Sequence, residues 1–209
     1  IDNVSNFTCD IDNYGTTIIK DGTFTSIHTT IANKASMTIN GGSFTCNGLE
    51  GITAHALWAA AGTTTINGGT FDGKDNYNGF NVDASEGAVV NIYGGKFLPV
   101  HSGSLYGEGT INVMGGEFFD NPSTFVNDDY TVVETENGLW TVVRKADVAK
   151  IGEVGYTSLQ KAVTAAQNGD TVLFVADVEQ ADGVIITDKN ITIDLNDNTF
   201  TVSNGASTN

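Results

Sequence analysis

Basic side chains are what this sequence has least of. Nine lysines and arginines stand against 25 aspartates and glutamates, a formal charge of -16 over 209 residues, and Arg144 is the only arginine. A surface of that sign repels a phosphate backbone and an anionic bilayer alike, which excludes a nucleic-acid partner. No apolar run approaches the roughly 20 residues that cross a bilayer, and no basic segment precedes an apolar one, so no membrane insertion is expected. Proline and cysteine number two each. Two cysteines, Cys9 and Cys46, are too few to indicate a redox compartment. The chain opens on Ile1, and the expectation is a removed leader or an excerpt of a longer polypeptide.

What is abundant is glycine, 25 residues of it, together with Thr, Asn, Val and Ile. That mixture favours many short strands joined by turns, an all-β fold. One stretch, Thr65-Ile66-Asn67-Gly68-Gly69-Thr70-Phe71, recurs as Thr38 to Phe44, Asn91 to Phe97 and Asn112 to Phe118, with a looser copy at Ile18 to Phe24. The second glycines fall at 22, 42, 69, 95 and 116, so the period is 20, 27, 26 and 21 residues by subtraction. A fixed motif on a wandering period means constant strands joined by loops of variable length, a β-solenoid. The aliphatic residue before each turn (Ile19, Ile39, Ile66, Ile92, Val113) and the phenylalanine after it (Phe24, Phe44, Phe71, Phe97, Phe118) are expected to point inward. Stacked like on like, they form an aliphatic and an aromatic ladder. The glycine pair between them supplies positive φ for the corner, and Asn40 and Asn67 stack there as structural residues. Phe7-Thr8-Cys9 matches Phe44-Thr45-Cys46 two periods on. With turns about 4.8 Å apart, Cys9 and Cys46 lie about 9 to 10 Å apart, beyond the roughly 7 Å limit for a disulfide. Two free, buried thiols are expected.

The pattern stops near Asn121. Tyr130-Thr131-Val132-Val133-Glu134 and Leu139-Trp140-Thr141-Val142-Val143 flank Asn137-Gly138, a hairpin signal, and a hairpin at about 130–144 reads as the cap on an open solenoid end. After it, Ser158 can cap a helix over about 158–168 whose Leu159, Ala162, Val163 and Ala166 share one face before Asn168-Gly169 ends it. Asp170 to Val175 is a buried strand, followed by the apolar Val184-Ile185-Ile186. Ile191 to Phe200 then matches the opening motif, placing Leu195 and Phe200 on the two ladders and Asp197-Asn198 where the glycine pair stands. Three segments result: coils over 1–126, a hairpin cap over 127–145, and over 146–209 the helix-capped start of a second solenoid that completes a neighbouring unit.

Ile151-Gly152, Tyr156 to Val163, Gly169 to Leu173 and Ile193 to Asn196 resemble the opening of right-handed parallel β-helix (pectin-lyase-like) repeat regions in large surface proteins of gut bacteria and their phages. The Thr-Ile-Asn-Gly-Gly-Thr-Phe coils and the hairpin resemble the middle and end of such regions. The resemblance implies an extracellular location, on a cell or virion surface. Such units run helix cap, coils, hairpin cap, whereas here the coils and hairpin precede the helix. The permuted order points to one period of a head-to-tail array, with a homo-oligomeric or tandem neighbour stacked end to end.

The fold also hosts polysaccharide lyases and hydrolases, whose machinery the resemblance implies as acidic calcium ligands with a Lys or Arg base, or grouped aspartates with His, Arg and Lys. Arg144 lies in the cap, and the single Asp-Asp pair, Asp128-Asp129, has no Arg-x-Lys after it. No catalytic residue is assigned, and no enzyme is expected. His28, His55 and His101 lack metal spacing and read as coil or loop residues. No cofactor is expected; Asp72 to Asn76 and Asp194 to Asn198 are oxygen-rich candidates for Ca2+ but fit no calcium-loop pattern. Trp58, Tyr77, Phe80 and Tyr106 are candidate glycan contacts if they face solvent, the alternative being packing under loops. The function expected is a structural stalk or filament segment with adhesion through its longer loops. The alternatives are a carbohydrate-binding module and, after it, a polysaccharide-degrading enzyme.

Overall fold

The computed structural model of the chain describes residues 11–48, 53–74 and 79–203. They form a parallel β-solenoid with one α-helix, divided into two compact units at residues 1–144 and 145–209. In the first unit each coil has three short strands. Coil 1 is Ile11–Asn13, Thr16–Ile19 and Thr23–Ser26, and coil 2 is Ile31–Asn33, Ser36–Ile39 and Ser43–Cys46. Coil 3 follows as Leu57–Ala59, Thr63–Ile66 and Thr70–Asp72; coil 4 is Val82–Ala84, Val89–Ile92 and Lys96–Phe97; coil 5 is Leu105–Gly107, Thr110–Val113 and Glu117–Phe118. First strands pair with first strands, second with second and third with third, all parallel, which gives three faces. Motif positions coincide in the pairing: Ile39 with Ile66, Ile66 with Ile92, Phe44 with Phe71, Phe71 with Phe97.

Strand alternation sends every second side chain inward. Ile19, Ile39, Ile66, Ile92 and Val113 are wholly buried, and Phe24, Phe44, Phe71, Phe97 and Phe118 are at most 1% exposed. The phenylalanine rings stack face over face, with successive centroids 5.1, 5.1, 5.1 and 4.5 Å apart. At the corner between the first and second faces the interior is polar. Asn13 Nδ2 donates to Asn33 Oδ1 at 2.7 Å, and Asn33 Nδ2 donates to Thr64 Oγ1 at 2.8 Å. At the next corner, on the outside, Asn67 Nδ2 donates to Asn40 Oδ1 at 2.8 Å.

The corner between second and third strands is three residues long in every coil (20–22, 40–42, 67–69, 93–95 and 114–116). Its two glycines act differently, which corrects the expectation that both supply positive φ. Only the second does so, at 106 to 113° in coils 2 to 5. The first is needed for contact: a Cβ on Gly41, Gly68 or Gly94 would lie 2.6 to 2.9 Å from a backbone oxygen of the coil beneath. The connections of widely varying length all leave the end of the third strand, at 27–30, 47–56, 73–81 and 98–104.

Coil 5 is closed by antiparallel pairing. Trp140–Arg144 runs against Glu117–Phe118 and against Tyr130–Glu134, and Val142 is buried beneath. This is the expected hairpin cap. Cys46 is buried with its Sγ donating to the His28 carbonyl at 2.9 Å; Cys9 and Phe7 lie outside the described residues.

In the second unit Ser158 Oγ accepts from the Lys161 N–H, capping the helix Leu159–Ala165, and Leu159, Ala162 and Val163 are buried. At the far end Lys189 Nζ donates to the carbonyls of Val163, Thr164 and Ala166, which the helix itself leaves unsatisfied. Thr171–Phe174 pairs parallel with Thr192–Asp194, and Val178–Gln180 with Phe200–Val202, so a coil is stacked here too. Its ladder positions differ from those expected. Leu195 is 43% exposed, and Phe200 meets Phe174 edge-on at 6.0 Å rather than stacked. The physical reason is twofold: Thr192–Asp194 is the edge strand of its sheet, and the corner turns through left-handed Asn196 and Asp197 (φ 46° and 63°), one residue earlier than the glycine alignment implies. Val184-Ile185-Ile186 forms no strand; the Ile185 N–H and carbonyl are both held by the Gln160 side chain. No helix among the described residues is long and apolar enough to cross a membrane.

Phe71 has stacked rings on both sides, so Phe71→Ala should cost about 3 to 5 kcal/mol in urea unfolding, with Phe71→Leu losing less.

Candidate functional site

The first face is narrow, and one outward column runs along it. Asp12, Ala32, Trp58, Asp83 and Tyr106 are register partners on successive coils. Alternation places them outside because their neighbours Leu57, Ala59, Val82 and Ala84 are wholly buried. Asp83 therefore sits between two aromatic residues, one rung from each.

A second aromatic line runs beside this column. His55 and Phe80 each lie just before the first strand of their coil; their rings stack at 5.8 Å, and Phe80 stacks on Tyr106 at 4.5 Å. Of the four residues singled out as glycan contacts, the structure thus joins Phe80 to Tyr106 and sets Trp58 two rungs away in the Tyr106 column. Tyr106 is 49% exposed, while Trp58 and Phe80 are half-buried, the Trp58 Nε1–H donating to Ser85 Oγ at 2.9 Å. Tyr77 lies outside the described residues.

Sequence reasoning missed His55 and Asp83. His55 does lie in a connection, just before the first strand of coil 3, but it is buried: its Nδ1 accepts the Phe80 N–H at 3.1 Å, and its Nε2 lies 3.2 Å from Asp83 Oδ2. Nδ1 as acceptor puts the proton on Nε2, so a neutral imidazole donates to the carboxylate. Burial holds the His55 pKa down at about 4. The adjacent carboxylate acts in the opposite sense, but a proton on Nδ1 would forfeit the Phe80 bond. Asp83 is raised above the usual carboxylate range, first by burial and then by Glu108. The recoverable signal was positional: His55 occupies the motif slot that Phe80 occupies one coil later.

Both imidazole nitrogens are engaged within the fold, which leaves His55 a positioning residue for Asp83. His28 and His101 are exposed and lie on other turns. Among the described residues no group of three or more His, Cys, Asp or Glu converges to hold a metal ion. In the two oxygen-rich segments, Asp72 Oδ1 accepts the Lys74 N–H and Asp194 Oδ1 the Asn196 N–H, each closing its own turn. What the arrangement offers is an aromatic column with a carboxylate fixed between its rings. Such a surface can stack on the C–H face of a sugar and accept a hydroxyl proton.

The chain matches no family model, and neither a curated protein nor a solved structure matches it.

The folded imidazole refuses the proton that the unfolded chain accepts near pH 6.5. Its contribution to stability is therefore complete above pH 6.5 and is lost as pH falls toward about 4. Asp83, with its raised pKa, acts in the opposite sense as it takes up a proton. Imidazole 15N spectra should show the Nε2–H tautomer of His55 and no titration between pH 5 and 8. Urea unfolding should lose more stability between pH 7 and 4.5 in the wild type than in His55→Asn, which keeps an acceptor for Phe80.

Proposed function

We infer that this chain is a non-enzymatic structural segment of an extracellular solenoid rod, whose stack of coils continues onto a neighbouring unit. What supports the reading is the last coil of the second unit. Ile193 and Leu195 are 39% and 43% exposed, whereas the counterparts of Leu195 in coils 1 to 5, Ile19, Ile39, Ile66, Ile92 and Val113, are wholly buried. Beside them an apolar cavity of about 240 Å3, lined by Leu159, Phe174, Ile186, Ile193 and Phe200, opens to solvent. The strands Thr192–Asp194 and Phe200–Val202 are both sheet edges with parallel partners on one side only. An added coil of the same motif would pair with both edges and cover these side chains, each worth about 1.5 to 3 kcal/mol when fully buried. The resemblance to surface repeat regions, and the absence of a catalytic constellation on the faces described, favour a rod over an enzyme.

A second reading, glycan binding, is favoured by one observation, the column in which Asp83 stands between Trp58 and Tyr106. It would make the rod an adhesive one.

Two copies fused head to tail should unfold at a higher Tm than one, and Leu195→Lys in the first copy should remove the increment; equal Tm values for fused and single chains would refute the rod. For the glycan reading, Trp58 fluorescence should respond to a neutral or amino-sugar oligosaccharide in the wild type, with the response lost in Tyr106→Ala.

A further inference from the structure

The outward positions of the second strands form two columns. One is Thr16, Ser36, Thr63, Val89 and Thr110; the other is Ile18, Thr38, Thr65, Asn91 and Asn112. None of these residues is charged. The first face, by contrast, carries Asp12 and Asp83, and the third carries Asp72, Lys96 and Glu117.

We propose that this uncharged face is a self-association surface, on which the same face of a second copy packs by two-fold symmetry. Charge selects the partner. In a two-fold contact each residue meets the equivalent patch of its partner, so surfaces of one sign repel. For a chain of charge -16, the second face is the one of the three whose strands set no ionised group against their own copy; the charges nearest it, Lys20, Asp21, Lys34, Glu86 and Glu108, lie in the corners at its borders.

Shape agrees. The long variable connections leave from the third strands, so no long loop arises at either border of this face. Thr and Val are stiff at χ1, and Asn112 Nδ2 donates to Asn91 Oδ1 at 2.9 Å, which pins the longest polar pair. Little side-chain freedom is left to lose on association. Short side chains on an in-register parallel sheet interdigitate with those of a second sheet about 10 Å away. The strands carry no aromatic platform for a sugar, unlike the first face.

Area sets the strength. Five rungs about 4.8 Å apart and four residues of about 3.3 Å cover about 300 Å2 per copy. The pair thus buries about 600 Å2, roughly half the lower bound for a stable complex. One unit associates weakly, and units linked in a rod associate through many such faces at once, binding far tighter than one. This lateral contact is independent of the end-on stacking inferred above, which uses the Leu195 end.

Sedimentation equilibrium of the full chain tests it. The wild type should dimerise weakly, in the range of hundreds of micromolar, and a fused pair at least about tenfold more tightly. Added salt should strengthen dimerisation, because it screens the repulsion between the two acidic chains. Thr65 lies on the central rung, so Thr65→Lys and Thr65→Asp should each abolish dimerisation and an equimolar mixture should restore it. Should far-UV circular dichroism show either variant unfolded, the same pair at Thr63 replaces it. Leu195→Lys should leave the dimer intact. A wild type that stays monomeric at millimolar concentration would overturn the proposal. So would a folded Thr65→Asp chain that dimerises like the wild type, or a monomeric wild type that Thr65→Asp releases from an insoluble neutral polysaccharide.

Discussion

Everything in the first unit depends on one distance, the spacing of hydrogen-bonded parallel strands. Because neighbouring rungs stand about 4.8 Å apart in register, each side chain has its equivalent from the next coil as its nearest neighbour. A residue that stacks well on itself is therefore favoured at every coil, and one that does not is disfavoured twice, above and below. Phenylalanine satisfies this with rings 4.5 to 5.1 Å apart. Asparagine satisfies it because one amide donates to the carbonyl of the next, inside at Asn13 and Asn33 and outside at Asn40 and Asn67. Glycine at the first corner position satisfies it by having nothing to place there.

Self-stacking also explains how much the sequence disclosed. The parallel solenoid, its coil register, the hairpin and the helix were legible, because each is written as a repeated or locally patterned string: Ile66 and Phe71 on the motif, Asn137-Gly138 in the turn, Ser158 before Leu159. Two kinds of feature were not. The separate roles of the paired glycines depend on where the carbonyl of the coil beneath falls, which no string records. The exposure of Leu195 depends on what lies across an edge strand, although its motif reads like that of the buried Ile66.

The candidate site shows the same division. Trp58, Phe80 and Tyr106 stood out as aromatic residues between motifs, but their grouping came from wandering loop lengths that disguise equivalent positions 25 or so residues apart. Asp83 did not stand out at all, since an aspartate in a chain with 25 acidic residues carries no signal of its own. Its partner His55 is recognisable only once the coils are aligned, when it falls in the slot that Phe80 fills next.

The third strands shorten along the stack, from four residues in coils 1 and 2 to two in coils 4 and 5. A pull along the stack of coils loads the hydrogen bonds of one rung together, and a rung with fewer of them yields first. Third-strand pairing is down to two residues both between coils 3 and 4 and between coils 4 and 5; at the latter the phenylalanine rings come closest, at 4.5 Å, and Lys96 reaches Glu117 at 2.7 Å across the outside. The contact next to the cap is thus reinforced on its third face, whereas the equally short third-strand pairing between coils 3 and 4 is reinforced on the first face, by Trp58 to Ser85 and His55 to Asp83.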